Sequence, residues 1–264
     1  MMAAGGALLL AGIAYHFLTE DTPNGDFREL RASGALEHHS RAAGAFREAC
    51  RDPRVWALAL LYAASFGVEL TIDNVAALYF TDYFHLQLTA AGVVAASFGG
   101  MNLFARALGG IFSDRCNRRW GRRGRVSLLG CTIFAEGLAL TLFSRMHRLP
   151  LAVGAMMLTG LFVKMSNGAN YAVVPFVNKR ALGAVAGIVG AGGNLGAVLA
   201  GFLFKTPSLT YPQALLILGV IISACSVLAL AVRFSDRDET AARMEIESRL
   251  SAGLAPAGSP VMGD

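Results

Sequence analysis

Apolar residues in this chain come in long runs, each cut off by a short polar stretch. Seven such runs stand out, at 3–18, 54–81, 88–112, 126–144, 151–177, 183–204 and 212–234. The last six are each long enough to cross much or all of a hydrocarbon core of about 30 Å at about 1.5 Å per residue. Lipid offers no partner to backbone N–H and C=O groups, so the runs predict helices. The first run, about 16 residues, is shorter than a span and predicts a partial transmembrane helix over 1–18. A signal peptide is its rival, but the run lacks a basic leading segment and a clear cleavage site. Residues 19–53 are polar with both charge signs and predict a cytoplasmic loop before a six-helix bundle over 54–234. Residues 235–264 are polar and then rich in Ala, Gly and Pro, a composition that buries too little to order itself; they predict a disordered cytoplasmic tail.

Composition sharpens this picture. Charged residues make up only 16% of the 264-residue chain, against about 25% in soluble domains, and 55% of it is hydrophobic. The net charge of +5 invites a nucleic-acid reading, but the cations sit at the ends of the apolar runs. Of the 23 Lys and Arg, eighteen fall in 19–54, 113–125, 178–182 and from Arg233 onward, and three in 82–87, 145–149 and 205–211. That asymmetry places the first set in the cytoplasm. The four cysteines, Cys50, Cys116, Cys131 and Cys225, show no close pairing, and no metal-ligand spacing occurs.

The two remaining cations, Arg106 and Lys164, lie inside apolar runs. An arginine at bilayer depth costs roughly 2.5–3.5 kcal/mol on insertion scales, so such residues face a cavity, an ion or a partner. Arg106 lies eight residues before Asp114, about 12 Å above the cytoplasmic end of its helix. Its planar fork suits a planar oxyanion, which makes it a candidate anion ligand; the alternative is an ion pair with Glu69, Asp73 or Glu136. Glu69 and Asp73 share a helix face at i,i+4 spacing. Glu69 is the deeper and is a proton-coupling candidate, or else a hydrogen-bonded structural acid. Glu136 reads as packing. Lys164, Asn167 and Tyr171 fall at i, i+3 and i+7 and predict one polar face lining the same site, with neutralisation of Glu69 or Glu136 as the alternative for Lys164.

Residues 183–201, GAVAGIVGAGGNLGAVLAG, place small residues at four-residue spacing, which permits close helix contact. Gly192, Gly193 and Asn194 exceed that need and are candidate contacts to a small ion through bare backbone and an amide. A soluble phosphate loop is excluded, because the Lys-Ser/Thr pair is missing. Asp114, Arg115, Arg122 and Arg123 cluster at a cytoplasmic helix junction and predict a gate latch, against simple anchoring of the arginines to the inner surface.

Three stretches carry a resemblance: SFGVELTIDNVAALYFTDYFHL at 65–86, GMNLFARALGGIFSDR at 100–115, and the glycine-rich GAGGNLG at 190–196. With YAVVPFVNKR at 171–180 and FLTEDTPNGDFREL at 17–30, they make the chain resemble the nitrate/nitrite porters of the major facilitator superfamily, and in particular eukaryotic high-affinity nitrate transporters. The stretches are similar to the family's helices seven, eight and eleven. The loop motif at Gly110, Asp114, Arg115 and Gly121–Arg123 also fits, with extra residues inserted.

The resemblance implies an all-α membrane protein: a six-helix carboxy-terminal half plus part of the preceding helix, without helices one to five. It implies proton-coupled symport of nitrate, and of nitrite, at the plasma membrane. Arg106 matches the family's anion-binding arginine of helix eight, while the second arginine, on helix two, has no match here. Lys164 matches no family position. The implied partners are the anion, protons, lipid, and a companion amino-terminal half or accessory membrane protein; no cofactor and no nucleic acid is implied. Two alternatives stay open: transport of another small monovalent anion, and a truncated membrane protein that acts by binding a partner. No nucleophile–base pair or cofactor motif points to an enzyme.

Overall fold

Arginines dominate 113–125, and the charge predicts a loop there. In the computed structural model, which describes residues 2–19, 26–33, 42–179, 181–235, 240 and 244, the segment is helical instead. The chain divides into two units, 1–42 and 43–264. The first holds α1 (Met2–Leu18) and α2 (Phe27–Ala32). At 17 residues α1 rises about 25 Å, short of a full span, and its apolar side chains from Leu8 to Leu18 are exposed.

The second unit contains α3 (Ala42–Arg51), α4 (Pro53–Phe84), α5 (Leu88–Gly100), α6 (Ala105–Ser144), α7 (Leu149–Val173), α8 (Leu182–Lys205) and α9 (Tyr211–Cys225). Local chemistry sets the ends. Asp52 caps α4 by accepting from the Arg54 N–H, with Pro53 at the first helical position, and His85 closes α4 in the left-handed region. Thr210 and Gln213 form a reciprocal capping box at the start of α9.

Among the described residues, five stretches are long and apolar enough to cross a membrane: Pro53–Phe84, Leu88–Ser144, Leu149–Phe176, Leu182–Lys205 and Tyr211–Ala231. The second is 57 residues long and reverses at Gly121, with φ 66° and ψ −161°. Residues 114 and 125 would stand about 16 Å apart on a straight helix. Here Arg125 Nη2 lies 2.7 Å from Asp114 Oδ1, and its Nη1 donates to Ser113 Oγ at 3.3 Å. The stretch is therefore a hairpin of two passages, α6a before Gly121 and α6b after it, and the five stretches make six passages. Arginine is a good helix former, and one residue of glycine geometry suffices to turn the chain, so the expected loop is not needed.

The same stretch breaks a second time. The run 88–112 predicts one helix, but Met101–Leu103 form a 3₁₀ turn and Phe104 leaves helical geometry. The break follows the pair Gly99-Gly100 and falls just before Arg106. Likewise α7 ends in a 3₁₀ turn over Val174–Phe176, and α9 continues as Ser226–Ala231.

Contacts tie the passages together at both ends of the bundle. At one end, Arg54 Nη2 donates to Val177 O at 3.3 Å and its guanidinium lies over Phe234, while Arg122 lies over Phe176 and Phe234. At the other end, Tyr83 Oη meets His147 Nδ1 at 3.0 Å and Tyr211 donates to Asp82 at 3.0 Å.

Three helix pairs close over glycine, as packing without a hydrophobic drive between helices requires. A Cβ on Gly192 would stand 2.7 Å from Ala59 O, and one on Gly67 would meet the Gly196 backbone, so α4 and α8 touch backbone to backbone. A Cβ on Gly109 or Gly168 would overlap the carbonyl of Met165 or Arg106, where α6a crosses α7. Gly137 and Gly219 do the same for α6b and α9.

Replacing Gly121 by valine should cost about 1–3 kcal/mol, because only glycine is at ease in that backbone region. In an Asp114→Cys/Arg125→Cys background, a short bifunctional thiol reagent should bridge the two cysteines across the space the ion pair spans, and Gly121→Val should slow or abolish that bridge. Undiminished cross-linking would show that the reversal does not depend on Gly121.

Candidate anion site

Glu69 lies midway along the 32-residue α4, about 24 Å from Pro53 and about 22 Å from Phe84. Its side chain is nearly inaccessible, at 3% exposure. A bare carboxylate at that depth is costly unless it is paired and hydrogen-bonded. Four donors satisfy it. Asn102 Nδ2 and Lys164 Nζ donate to Oε1 at 2.8 and 3.0 Å, and Arg106 Nη2 and Asn167 Nδ2 donate to Oε2 at 2.9 and 2.5 Å. Three passages therefore converge on one carboxylate: α4, the α5–α6a stretch, and α7.

The local sequence explains the convergence. Asn102 and Arg106 are four residues apart across the 3₁₀ break, and Lys164 and Asn167 are one turn apart on α7. Ser65 donates to Val163 O at 3.1 Å and Asn170 to Leu58 O at 3.2 Å, which aligns α4 with α7 on either side of the cluster. The glycine crossing at Gly109 and Gly168 brings Arg106 down onto α7.

The two cations have different surroundings. Lys164 is fully buried; its ammonium sits on Glu69 and 4.3 Å from the Phe98 ring centroid. This corrects the expectation that Lys164 and Asn167 line an open site: both are at 0% exposure and both hold Glu69. Arg106 keeps 38% of its side chain exposed. It lies over the Phe66 ring at 5.9 Å, with the Tyr62 hydroxyl beside it. Tyr62 stacks on Phe66 at 5.0 Å and meets Tyr171 edge-on at 5.1 Å. A Cβ on Gly193 would press on these rings at 2.7–2.8 Å, and one on Gly190 would stand 3.4 Å from Tyr171 Oη. Gly193 thus supports the aromatic wall beside Arg106, and Gly192 sits on Ala59. Asn194 is exposed and spends its amide on Gly190 O of its own helix, at 3.1 Å; this amide is turned to its helix rather than toward the cluster.

Glu69, Arg106 and Lys164 together carry one net positive charge. Asp73, one turn outward on α4, is exposed. Glu136 is fully buried on α6b, with the Ser65 and Ser166 hydroxyls beside its carboxylate; it pairs with neither Arg106 nor Lys164. At the α6a–α6b junction the partner of Asp114 is Arg125, while Arg115 lies over Phe112 and Arg122 over Phe176. Sequence reasoning passed over Asn102, Tyr62, Phe66, Phe98 and Arg125. A signal was present for two of them, since Tyr62 and Phe66 fall at i and i+4 before Glu69 at i+7.

A bundle of apolar helices closed around a basic, hydrogen-bonded cluster at mid-span defines a polytopic membrane protein with a polar site in its interior. The profile of the Major Facilitator Superfamily matches residues 1–174 and 71–260, and the chain belongs to that family. It is 38% identical over 226 residues to the high affinity nitrate transporter 2.5 of Arabidopsis thaliana, covering 85% of this chain and 45% of the relative. It is 34% identical over 238 residues to the nitrate transporter 2.2 of Chlamydomonas reinhardtii, covering 87% and 46%. It is 35% identical over 144 residues to the nitrate/nitrite transporter NrtP of a Picosynechococcus species, covering 53% and 26%. The chain spans less than half the length of these relatives.

Proposed function

We propose that this chain forms the carboxy-terminal half of a proton-coupled transporter of nitrate and nitrite, acting at the plasma membrane, with Arg106 as the anion ligand in this half. One observation carries the reading. Arg106 is the partly open cation of a cluster whose carboxylate is already held by Lys164, Asn102 and Asn167. An arriving anion takes the guanidinium edge beside Tyr62 and Phe66 without leaving Glu69 bare. The relatives named above, described as nitrate and nitrate/nitrite transporters, supply the substrate class.

Coupling follows from competition. The Glu69 carboxylate and the anion both bind Arg106. A proton added to Glu69 removes its negative charge, frees the Arg106 Nη2 donor and raises the net charge of the cluster by one. A monovalent anion then restores the balance. Asp114 and Arg125, joined at the cytoplasmic hairpin, act as the latch, with Arg115, Arg122 and Arg123 beside them. A second half supplies the opposing wall, since alternating access moves one bundle against another about a central site.

The test is uptake of labelled nitrate into proteoliposomes under an inward proton gradient. Residues 1–264 alone should give no saturable uptake. The same chain co-reconstituted with a five- or six-helix amino-terminal half should give gradient-driven uptake. Saturable uptake by 1–264 alone would refute the half-transporter reading.

A further inference from the structure

On another part of the bundle, α6b and the segment that follows α9, from the 3₁₀ turn at Ser226 to Phe234, flank an open groove of about 740 Å³. Neither supplies a group to the Glu69 cluster. At one end of the groove stand Arg123 and Arg233, both exposed; further along it are Ser127, Cys131, Phe134 and Val227. We propose that this groove binds one anionic glycerophospholipid of the cytoplasmic leaflet, with the phosphate on the two arginines and one acyl chain along the apolar floor.

The dimensions support that occupant. From Arg123 to Phe134 is eleven residues of α6b, about 16 Å along the axis. One leaflet is half of a core about 30 Å thick. The groove thus begins where headgroups lie and runs roughly to the depth where acyl chains end. Its floor is low because Gly130 faces Ala229, where a Cβ would stand 3.1 Å from the Ala229 Cβ. Its walls keep apolar side chains turned outward, with Phe134 48% and Val227 63% exposed.

Charge selects the headgroup. The arginine-rich end is the cytoplasmic end, and the inner leaflet carries the anionic lipids. Arg122 and Arg125 lie over Phe176 and Arg125 pairs with Asp114, while Arg233 Nε donates to Leu230 O at 3.1 Å. Arg123 and Arg233 are the two that line the groove. Guanidinium forks match phosphate oxygens, and two of them flanking one apolar slot suit a headgroup better than a free anion.

The experiment is native mass spectrometry of the 264-residue chain, delipidated and then offered equal dioleoyl phosphatidylglycerol and dioleoyl phosphatidylcholine. One phosphatidylglycerol should be retained per chain, with about tenfold preference. Arg123→Gln/Arg233→Gln should bring the preference close to parity. Arg118→Gln/Arg119→Gln removes the same charge outside the groove and should leave the preference in place. Cys131→Trp, which fills the slot midway, should remove retained lipid of either kind while helix content stays unchanged. Lack of preference in the unsubstituted chain, an equal fall in both double variants, or full retention in Cys131→Trp would each overturn the proposal.

Discussion

Arg106→Lys keeps the charge of the site and should still lose nitrate transport. Lysine offers a compact ammonium in place of a planar fork, so it cannot hold Glu69 through one nitrogen and present an edge to a planar anion. Losing one charge-assisted hydrogen bond costs about 1.5–3 kcal/mol, which corresponds to a fall of about tenfold to a hundredfold in apparent affinity. Arg106→Ala should be worse for transport but mild for folding. The arginine is more than a third exposed, and Lys164 with two amides still holds the carboxylate. The measurement is initial nitrate uptake by the co-reconstituted halves, set beside thermal unfolding of each variant. Uptake unchanged in both variants would take Arg106 out of the site. Transport lost only together with the fold would make it structural.

The sequence shows which residues are unusual better than it shows which of them meet. Arg106, Lys164 and Glu69 stand out because each is an ion in an apolar run, and every one of them lies in the cluster. Their pairing spans 37 and 95 positions, a separation on which no local period bears. The role of Lys164 was open between ligand and counter-ion, and its complete burial decides for counter-ion. Asn102 escaped notice because one amide in a run of glycine and apolar residues carries little signal; its importance comes from the 3₁₀ break that sets it above Arg106. Span lengths were legible from hydropathy, since lipid thickness sets them. The hairpin at Gly121 was not, because a dense arginine cluster suits a polar loop and a helix equally well, and the backbone geometry of one glycine chooses between them. Asn194 stood out beside three small residues, yet α8 presents its glycines to α4 and leaves the amide on its exposed side.

The buried pair of Lys164 and Glu69 should behave as a unit under mutation. Lys164→Met leaves a nearly inaccessible carboxylate with a partly exposed arginine as its remaining counter-charge, and should cost about 3–5 kcal/mol. Glu69→Gln leaves the Lys164 ammonium fully buried against Phe98, with an amide in place of a carboxylate, and should cost a similar amount. Removing both charges is different. Glu69→Gln/Lys164→Met retains shape, and its Gln can still accept from Asn102, so stability should return to within about 1–2 kcal/mol of the original. The double-mutant cycle in thermal or denaturant unfolding should therefore show strong coupling between the two positions. Function should part from stability in the restored variant. It keeps Arg106 but has no Glu69 carboxylate to receive a proton, so nitrate exchange across co-reconstituted bilayers should persist and cease to respond to an imposed proton gradient. Additive single effects would mean that the ion pair is not formed in the membrane. A restored variant that still accumulates nitrate against the gradient would place the coupling proton on another group.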